Sequence, residues 1–193
     1  MKRIIALAGN LNVGKSTLFN ALTGMHQHTG NWPGKTVEVA RGSCQYNGYD
    51  YSFVDLPGTY SLFPHSAEEE ITRDFLCFEK HDAVLVVCDA TCLERNMNLV
   101  LQVLEASPKA VVCLNLSDEA ERKHIRIDTQ KLSKRLGVAV VTTVARKKKS
   151  VRALLSALEN VTEQDSYSIP YPTPLEESVD RLACFFPNLN NRR

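Results

Sequence analysis

No apolar run in this sequence approaches the ~20 residues that a helix needs to cross a bilayer, and the amino-terminal segment has no long apolar stretch of the kind that heads a secreted chain. The six cysteines, Cys44, Cys77, Cys88, Cys92, Cys113 and Cys184, include no C-x-x-C pair. Cys88 and Cys113 lie within apolar runs and read as small buried hydrophobes. These absences disfavour a disulfide scaffold and point to a reducing cytosol. An excess of one charge is also missing. Twenty-three Lys and Arg stand against 22 Asp and Glu, a net charge of +1, so no broad nucleic-acid-binding surface is expected. The one local basic run, Arg146-Lys147-Lys148-Lys149, reads as a solvated loop. There is no internal repeat and no low-complexity tract. At 193 residues the chain suits one domain with room for part of a second.

What is present alternates between strand and helix. Ile4–Ala8 is a short apolar run ending in Gly9 and reads as a buried strand, and Lys15–Leu22 reads as a helix. Val37–Tyr46 and Tyr49–Val54 flank Asn47-Gly48, a strong hairpin signal. Ala83–Cys88 and Ala110–Leu114 are buried strands around a helical stretch, Asn96–Ala106. Thr129–Leu136 is helical and ends at Gly137, a C′ residue. Val138–Val141 is a strand, and Val151–Leu158 is a helix with Ser150 as its candidate N-cap. The order β-α-β-β-α-β-α-β-α-β-α predicts an α/β fold with a mostly parallel six-stranded sheet, one antiparallel edge hairpin strand, and helices on both faces. From residue 166 the composition changes. Ser166–Pro174 holds three prolines and reads as a linker, and a further helix begins near Pro174. The expected division is 1–165 as one domain and 166–193 as a linker with the start of a truncated helical one.

Three motifs carry chemistry. Gly9-Asn10-Leu11-Asn12-Val13-Gly14-Lys15-Ser16 matches G-x-x-x-x-G-K-[ST] between a strand and a helix, the context a phosphate-binding loop requires. Its glycines let backbone amides, with Val13 and Thr17 beside them, wrap an anion at a helix N-terminus. Lys15 is assigned to the β- and γ-phosphates and Ser16 to Mg²⁺. Asp55-Leu56-Pro57-Gly58 matches D-x-x-G, in which the carboxylate holds Mg²⁺ through water and the Gly58 amide meets a γ-phosphate. Asn115-Leu116-Ser117-Asp118 matches N-x-x-D. There the carboxylate accepts two parallel N–H bonds from guanine, a pair of donors that adenine lacks. Leu116 stands where many GTPases have Lys, which suggests looser nucleotide binding. Thr143-Val144-Ala145-Arg146 occupies the place of a further base-contacting element, and the Ala145 amide is offered to the guanine carbonyl, with Val144 in place of the usual Ser. The residue after Gly58 is Thr59, not the water-orienting Gln of Ras-like enzymes, so intrinsic hydrolysis is expected to be slow.

Several stretches are more particular than these motifs. They are Gly9-Asn10-Leu11-Asn12 with Lys15–Gly24, then Gly30-Asn31-Trp32-Pro33-Gly34-Lys35-Thr36-Val37-Glu38, Asp55–Leu62, and Asp89-Ala90-Thr91-Cys92-Leu93-Glu94-Arg95-Asn96. Over about residues 3–175 the sequence resembles the G domain of bacterial ferrous-iron transport protein B, departing from its relatives at Leu11, where Pro is usual, and Val13, where Ser is usual. The resemblance implies a P-loop NTPase fold of the Ras-like kind. It implies binding of GTP and GDP, with slow GTP hydrolysis that regulates Fe²⁺ uptake at the cytoplasmic face of the inner membrane. It further implies that Gly34, Lys35 and Thr36 form a first switch, Thr36 completing the Mg²⁺ shell in the triphosphate state. Asn12 resembles the P-loop asparagine of potassium-activated GTPases and would hold K⁺ beside the phosphates. Lys15, Thr36 and Asn12 are thus the expected catalytic residues. Segments 25–38 and 57–70 are the expected switches, and Trp32 an apolar anchor for the first. The implied partner is a transmembrane permease part, with self-association left open and no nucleic acid expected.

His26, His28 and Cys44 also suggest iron ligands, but they lack a recognisable ligand spacing and read more simply as parts of a solvated loop. Two alternative functions remain at this stage. One is a ribosome- or tRNA-associated GTPase, which would usually append a basic module. The other is a nucleotide-binding domain with negligible hydrolysis.

Overall fold

The computed structural model describes residues 2–24, 27–32, 37–107, 109–161 and 171–185. Along the chain run β1 (Lys2–Gly9), α1 (Lys15–Thr23), β2 (Gln27–Asn31), β3 (Glu38–Tyr46), β4 (Tyr49–Asp55), α2 (Ala67–Phe78) and β5 (Ala83–Asp89). There follow α3 (Leu93–Ala106), β6 (Ala110–Asn115), α4 (Ser117–Arg122), α5 (Thr129–Leu136), β7 (Ala139–Thr142), α6 (Lys148–Glu159) and α7 (Thr173–Ala183). The seven strands are ordered β2-β3-β4-β1-β5-β6-β7. β1 pairs in parallel with β4 and β5, and β5-β6-β7 continue in parallel, whereas β2-β3 and β3-β4 are antiparallel. None of the described helices is long and apolar enough to span a membrane.

The central strands are read easily because helices cover both of their faces. Every residue of β6 is buried, and β5 is buried up to Asp89, as expected for parallel strands inside an α/β layer fold. One apolar cluster joins Ala6, Val54, Val84 and Val112 to Ile71 and Phe75 of α2 and to Leu99 and Val103 of α3. On the opposite face Ile5, Leu7, Phe53, Leu85 and Val111 pack against Leu18 and Leu22 of α1 and Leu154 and Leu158 of α6. Burial on this face drives the Cys113 thiol up to about 12, and burial on the first face drives the Cys88 thiol higher still, so both remain protonated at neutral pH. Asn47 and Gly48, with φ of 48° and 79°, make the tight β3-β4 turn that their sequence announces.

The structure differs from the sequence expectation at β2, at the starts of α6 and α3, at α4, which the expected order lacks, and at Lys148 and Lys149, expected in a loop but helical in α6. The sheet has seven strands, not six. Gln27–Asn31, expected in a loop, pairs antiparallel with β3 from Gln27 opposite Gly42 to Asn31 opposite Glu38 and becomes the edge. Its sequence, QHTGN, has no apolar alternation, because an edge strand needs only backbone bonds to its neighbour. Ser150 is not an N-cap. The helix starts earlier, after Lys147, and the Ser150 hydroxyl donates from its first turn to the carbonyls of Val144 and Lys147, both at 2.8 Å. Likewise α3 begins at Leu93, entered through a 3₁₀ turn that Asp89 caps by accepting the Thr91 N–H at 2.7 Å.

A row of rings links the edge of the sheet to the far end of α2. Trp32, whose N–H donates to the Val37 carbonyl at 2.8 Å, meets Phe75 edge-on at 5.9 Å, and Phe75 stacks on His81 at 5.9 Å. Trp32 is therefore the apolar anchor its segment was expected to have. His81 donates through Nδ1 to the Glu79 carbonyl at 2.9 Å and faces the Ser107 hydroxyl through Nε2 at 3.3 Å. Burial lowers its pKa, against the opposing pull of the Glu79 carbonyl and Asp82. A histidine with a folded pKa below its unfolded one binds protons better when unfolded, so its contribution to stability falls as pH drops through the unfolded value of ~6.5. Urea titrations at pH 7.5 and 5.5 should show a fall in stability that is smaller for His81→Gln. An equal fall in both proteins would remove His81 as the source.

Candidate functional site

The loops after β1, β4, β6 and β7 all leave the same edge, the carboxyl ends of the parallel strands, where open α/β sheets form their sites. After β1 the chain turns through Asn12 (φ 64°) and Gly14 (φ 79°), both left-handed, before α1 starts. Gly14 is required twice over. Its φ suits glycine, and an added Cβ would lie 2.5 Å from Asn115 Nδ2. No side chain caps α1, so the N–H groups of its first turn remain available at the loop, which is what an anion site needs. Asn12 and Leu11 are exposed at the crest, while Asn10 and Val13 are buried beneath it. Asn10 Nδ2 donates to the Arg95 carbonyl at 3.4 Å and ties the loop to α3.

The Lys15 ammonium bonds to Asp55 Oδ1, as an ion pair, and to the Leu56 carbonyl at 2.6 Å. The Ser16 hydroxyl lies 3.4 Å from Asp55 Oδ2. A cation, a hydroxyl and a carboxylate thus meet where β1 and β4 end side by side. A cleft of about 550 Å³ opens here among Lys15, Thr29, Val37, Asp55, Pro57 and Glu68. A larger hollow of about 700 Å³ lies on the sheet among Lys2, His28, Arg41 and Asp50. It contains no P-loop residue, so the smaller cleft is the candidate. Gly34, Lys35 and Thr36, which were expected to close it, lie outside the described residues, as does His26.

Pro57 and Thr59 are fastened on both sides. Thr72 Oγ1 donates to the Pro57 carbonyl at 2.8 Å, and the Thr59 N–H donates to the Gly9 carbonyl at 3.2 Å. The Thr59 side chain is fully buried, and its hydroxyl lies 2.6 Å from the Ser61 carbonyl and 3.1 Å from Glu69 Oε1. A hydroxyl held in this way does not point to a water beside the loop, in keeping with the absence of a glutamine at this position. Ser66 caps α2 by accepting the Glu69 N–H at 3.2 Å, and Glu69 accepts the His65 N–H at 2.9 Å. Ser66-x-x-Glu69 is thus a variant of the capping box.

Asn115 joins three loops. Its Nδ2 donates to the Val13 carbonyl at 3.0 Å, and its Oδ1 accepts from Thr143 Oγ1 and from the Ala145 N–H, both at 3.3 Å. The side chain is buried. The sequence reading placed Asn115 and the Ala145 amide on the nucleotide. In the structure the Ala145 amide donates to Asn115, and the Asn115 carboxamide braces the three loops. Val144 is held by Ser150, which accepts its N–H at 3.2 Å. Leu116 sits in the left-handed region (φ 59°), where a branched residue costs about 1 kcal/mol or more. The bend persists because the Ser117 N–H and hydroxyl both donate to the Thr143 carbonyl, at 3.2 and 3.0 Å. It brings the half-buried Asp118 into the first turn of α4, and among the described residues its carboxylate makes no hydrogen bond or ion pair.

No cluster of three or more His, Cys, Asp or Glu among the described residues is arranged to hold a metal ion. His28 pairs opposite Arg41, and Cys44 is three residues further along β3, so the register puts their side chains on opposite faces of the sheet.

A strand-loop-helix phosphate cradle, a D-x-x-G carboxylate beside its lysine, and an N-x-x-D loop braced to the cradle through Asn115 define a P-loop G domain of the GTPase class. The particular family follows from comparison with known proteins. The sequence profile of ferrous iron transport protein B matches residues 3–158, and the chain belongs to this family. It is similar to the Fe(2+) transporter FeoB of Helicobacter pylori, 41% identical over 179 residues that make up 88% of this chain and 28% of that protein. It is similar also to the Fe(2+) transporter FeoB of Escherichia coli K12, 39% identical over 194 residues, 97% of this chain and 25% of that protein. The chain therefore spans about a quarter of the length of these relatives. Among solved structures it superposes on the cytosolic domain of the T. maritima FeoB iron transporter in a GDP form, with a TM-score of 0.90 and 36% identity, covering all of this chain and 77% of that one.

Proposed function

We propose that residues 1–165 form the GTP-binding switch domain of a bacterial ferrous-iron transporter. It would hydrolyse GTP slowly at the cytoplasmic face of the inner membrane and regulate Fe²⁺ passage through a transmembrane permease part. The observation that carries this reading is the convergence of Lys15, Ser16, Asp55 and Asp118 on one sheet edge, with Asn115 fixing the three loops to one another. The GDP named for the T. maritima neighbour supports the same ligand here.

In this reading the Lys15 ammonium exchanges Asp55 and the Leu56 carbonyl for the β- and γ-phosphate oxygens. Ser16 and Asp55, hard oxygen donors lying side by side, fit Mg²⁺, with Thr36 joining them in the triphosphate state. Bound Mg²⁺ supplies charge neutralisation at the phosphates. Backbone amides from Gly9 to Thr17 and from Gly58 hold the remaining oxygens, Asp118 selects guanine, and Leu116 and Val144 flank the base. Buried Thr59 leaves the water without a side-chain partner at that position, which supports slow turnover. Residues 166–193 lead toward a helical domain, of which α7 is the beginning.

The exposed, left-handed Asn12 at the loop crest fits K⁺, a large and weakly hydrated cation that a carboxamide oxygen can hold beside the phosphates. Charge that gathers on the γ-phosphoryl oxygens is stabilised by a fixed cation. Turnover of GTP by the purified protein is expected to be at least about tenfold faster in K⁺ than in Na⁺ at matched ionic strength, a lowering of ~1.4 kcal/mol in the barrier. Asn12→Ala should erase the difference. Equal rates in the two salts would defeat the potassium role and leave the GTPase reading standing. The absence of any GTP turnover would favour a binding-only domain.

A further inference from the structure

The helix α3 does more than cover the sheet. Leu99, Val100, Val103 and Leu104 bury its apolar face and anchor it. On its flank Arg95, Asn98 and Gln102, at spacings of three and four and so on one side of the helix, hold the segment that follows D-x-x-G. Gln102 Oε1 accepts the Leu62 N–H at 2.6 Å and the Ser61 hydroxyl at 3.2 Å. Asn98 Nδ2 donates to the Tyr60 carbonyl at 3.1 Å, and the Arg95 guanidinium lies 4.7 Å above the Tyr60 ring. Through the Arg95 carbonyl the same helix end is bonded to Asn10 of the P-loop.

We propose that Gln102, assisted by Asn98, is a positioning residue for GTP hydrolysis, which holds residues 60–62 so that Gly58 and Thr59 keep their place against the P-loop. The inference rests on the GTPase reading above. The physical case has two parts. Thr59 is one residue from Tyr60 and donates its N–H to Gly9, so a shift at 60–62 passes directly to the backbone that faces the phosphates. And α3 does not need Gln102 to stay docked, because its apolar face does that. Loss of the carboxamide should therefore release the segment and not the helix. A misplacement of about 1 Å in catalytic geometry can cost on the order of a hundredfold in rate.

The test compares wild-type protein with Gln102→Met, which keeps the length and loses the acceptor, and Gln102→Glu, which keeps an acceptor oxygen. Single-turnover GTP hydrolysis at saturating nucleotide, GDP affinity and the unfolding midpoint are measured for each. Gln102→Met should lower the hydrolysis rate at least about tenfold with GDP affinity within about twofold, and Gln102→Glu should recover most of the rate. Asn98→Ala, at an exposed site where substitution changes stability little, should lower the rate by about threefold. An unchanged rate in Gln102→Met, a parallel loss of rate and GDP affinity, or no recovery in Gln102→Glu would overturn the positioning role. If wild-type protein itself turns over no GTP, the GTPase reading falls. If the wild type is active and Gln102→Met is equally active, only the inference fails.

Discussion

Asp118→Asn is expected to weaken GDP and GTP binding by at least about tenfold, or ~1.4 kcal/mol, and to favour xanthine nucleotides. A carboxylate that accepts two N–H bonds from guanine makes charge-assisted bonds worth about 1.5–3 kcal/mol each. An asparagine keeps one acceptor but turns an N–H₂ toward the exocyclic amine. Xanthine carries a carbonyl at that position, and the new donor matches it. The half-buried place of Asp118 in the first turn of α4 gives these bonds partial shelter from water. Titration with fluorescent GDP, GTP and xanthosine triphosphate is decisive. Unchanged guanine affinity in the variant would sink the assignment of Asp118 as the base-reading residue.

Asn115→Ala is expected to damage stability as well as binding, and this separates a brace from a ligand contact. Truncation removes the Asn115 partner of the buried Val13 carbonyl and Ala145 N–H, while the Thr143 hydroxyl keeps its contact with the Cys113 thiol at 3.0 Å. Each unsatisfied buried group costs about 1–3 kcal/mol, with partial relief from relaxation, so a loss of roughly 2–4 kcal/mol is reasonable. In a chain of this size that corresponds to a fall of about 5–15 °C in unfolding midpoint. Because the three bonds join the P-loop, N-x-x-D and the loop after β7, GDP affinity should fall together with stability. A variant that lost GDP affinity at an unchanged midpoint would restore Asn115 to the nucleotide itself. Gly14 belongs to the same device, since its missing Cβ makes room for the carboxamide.

Some of this was plain in the chain itself. Strands β1, β5 and β6 were legible because burial on both faces demands unbroken apolar runs, and the β3-β4 hairpin because Asn-Gly favours one turn geometry. The P-loop, D-x-x-G and N-x-x-D motifs stood out in the sequence because each has fixed residue types at a fixed spacing, and the structure places each after a strand. β2 was not legible, because an edge strand bonds through its backbone and QHTGN carries no side-chain signal of that pairing. The start of α6 was misplaced because Ser150 has the residue type of a cap but bonds from within the helix.

Tertiary structure alone decided what the site residues do to one another. N-x-x-D names Asn115 without saying whether its carboxamide meets the base or the protein. The answer depends on where Val13 and Ala145 lie, 102 and 30 residues away. Thr59 was recognised as lacking a glutamine's reach, but its burial against Ser61 and Glu69 follows from the docking of α2. The grip of Gln102 on Leu62 spans 40 residues and has no motif. Local sequence determines which backbone a segment adopts and which chemistry it can carry. The partners of a buried amide or hydroxyl are set by which loops the sheet order brings together, and that order is a property of the whole chain.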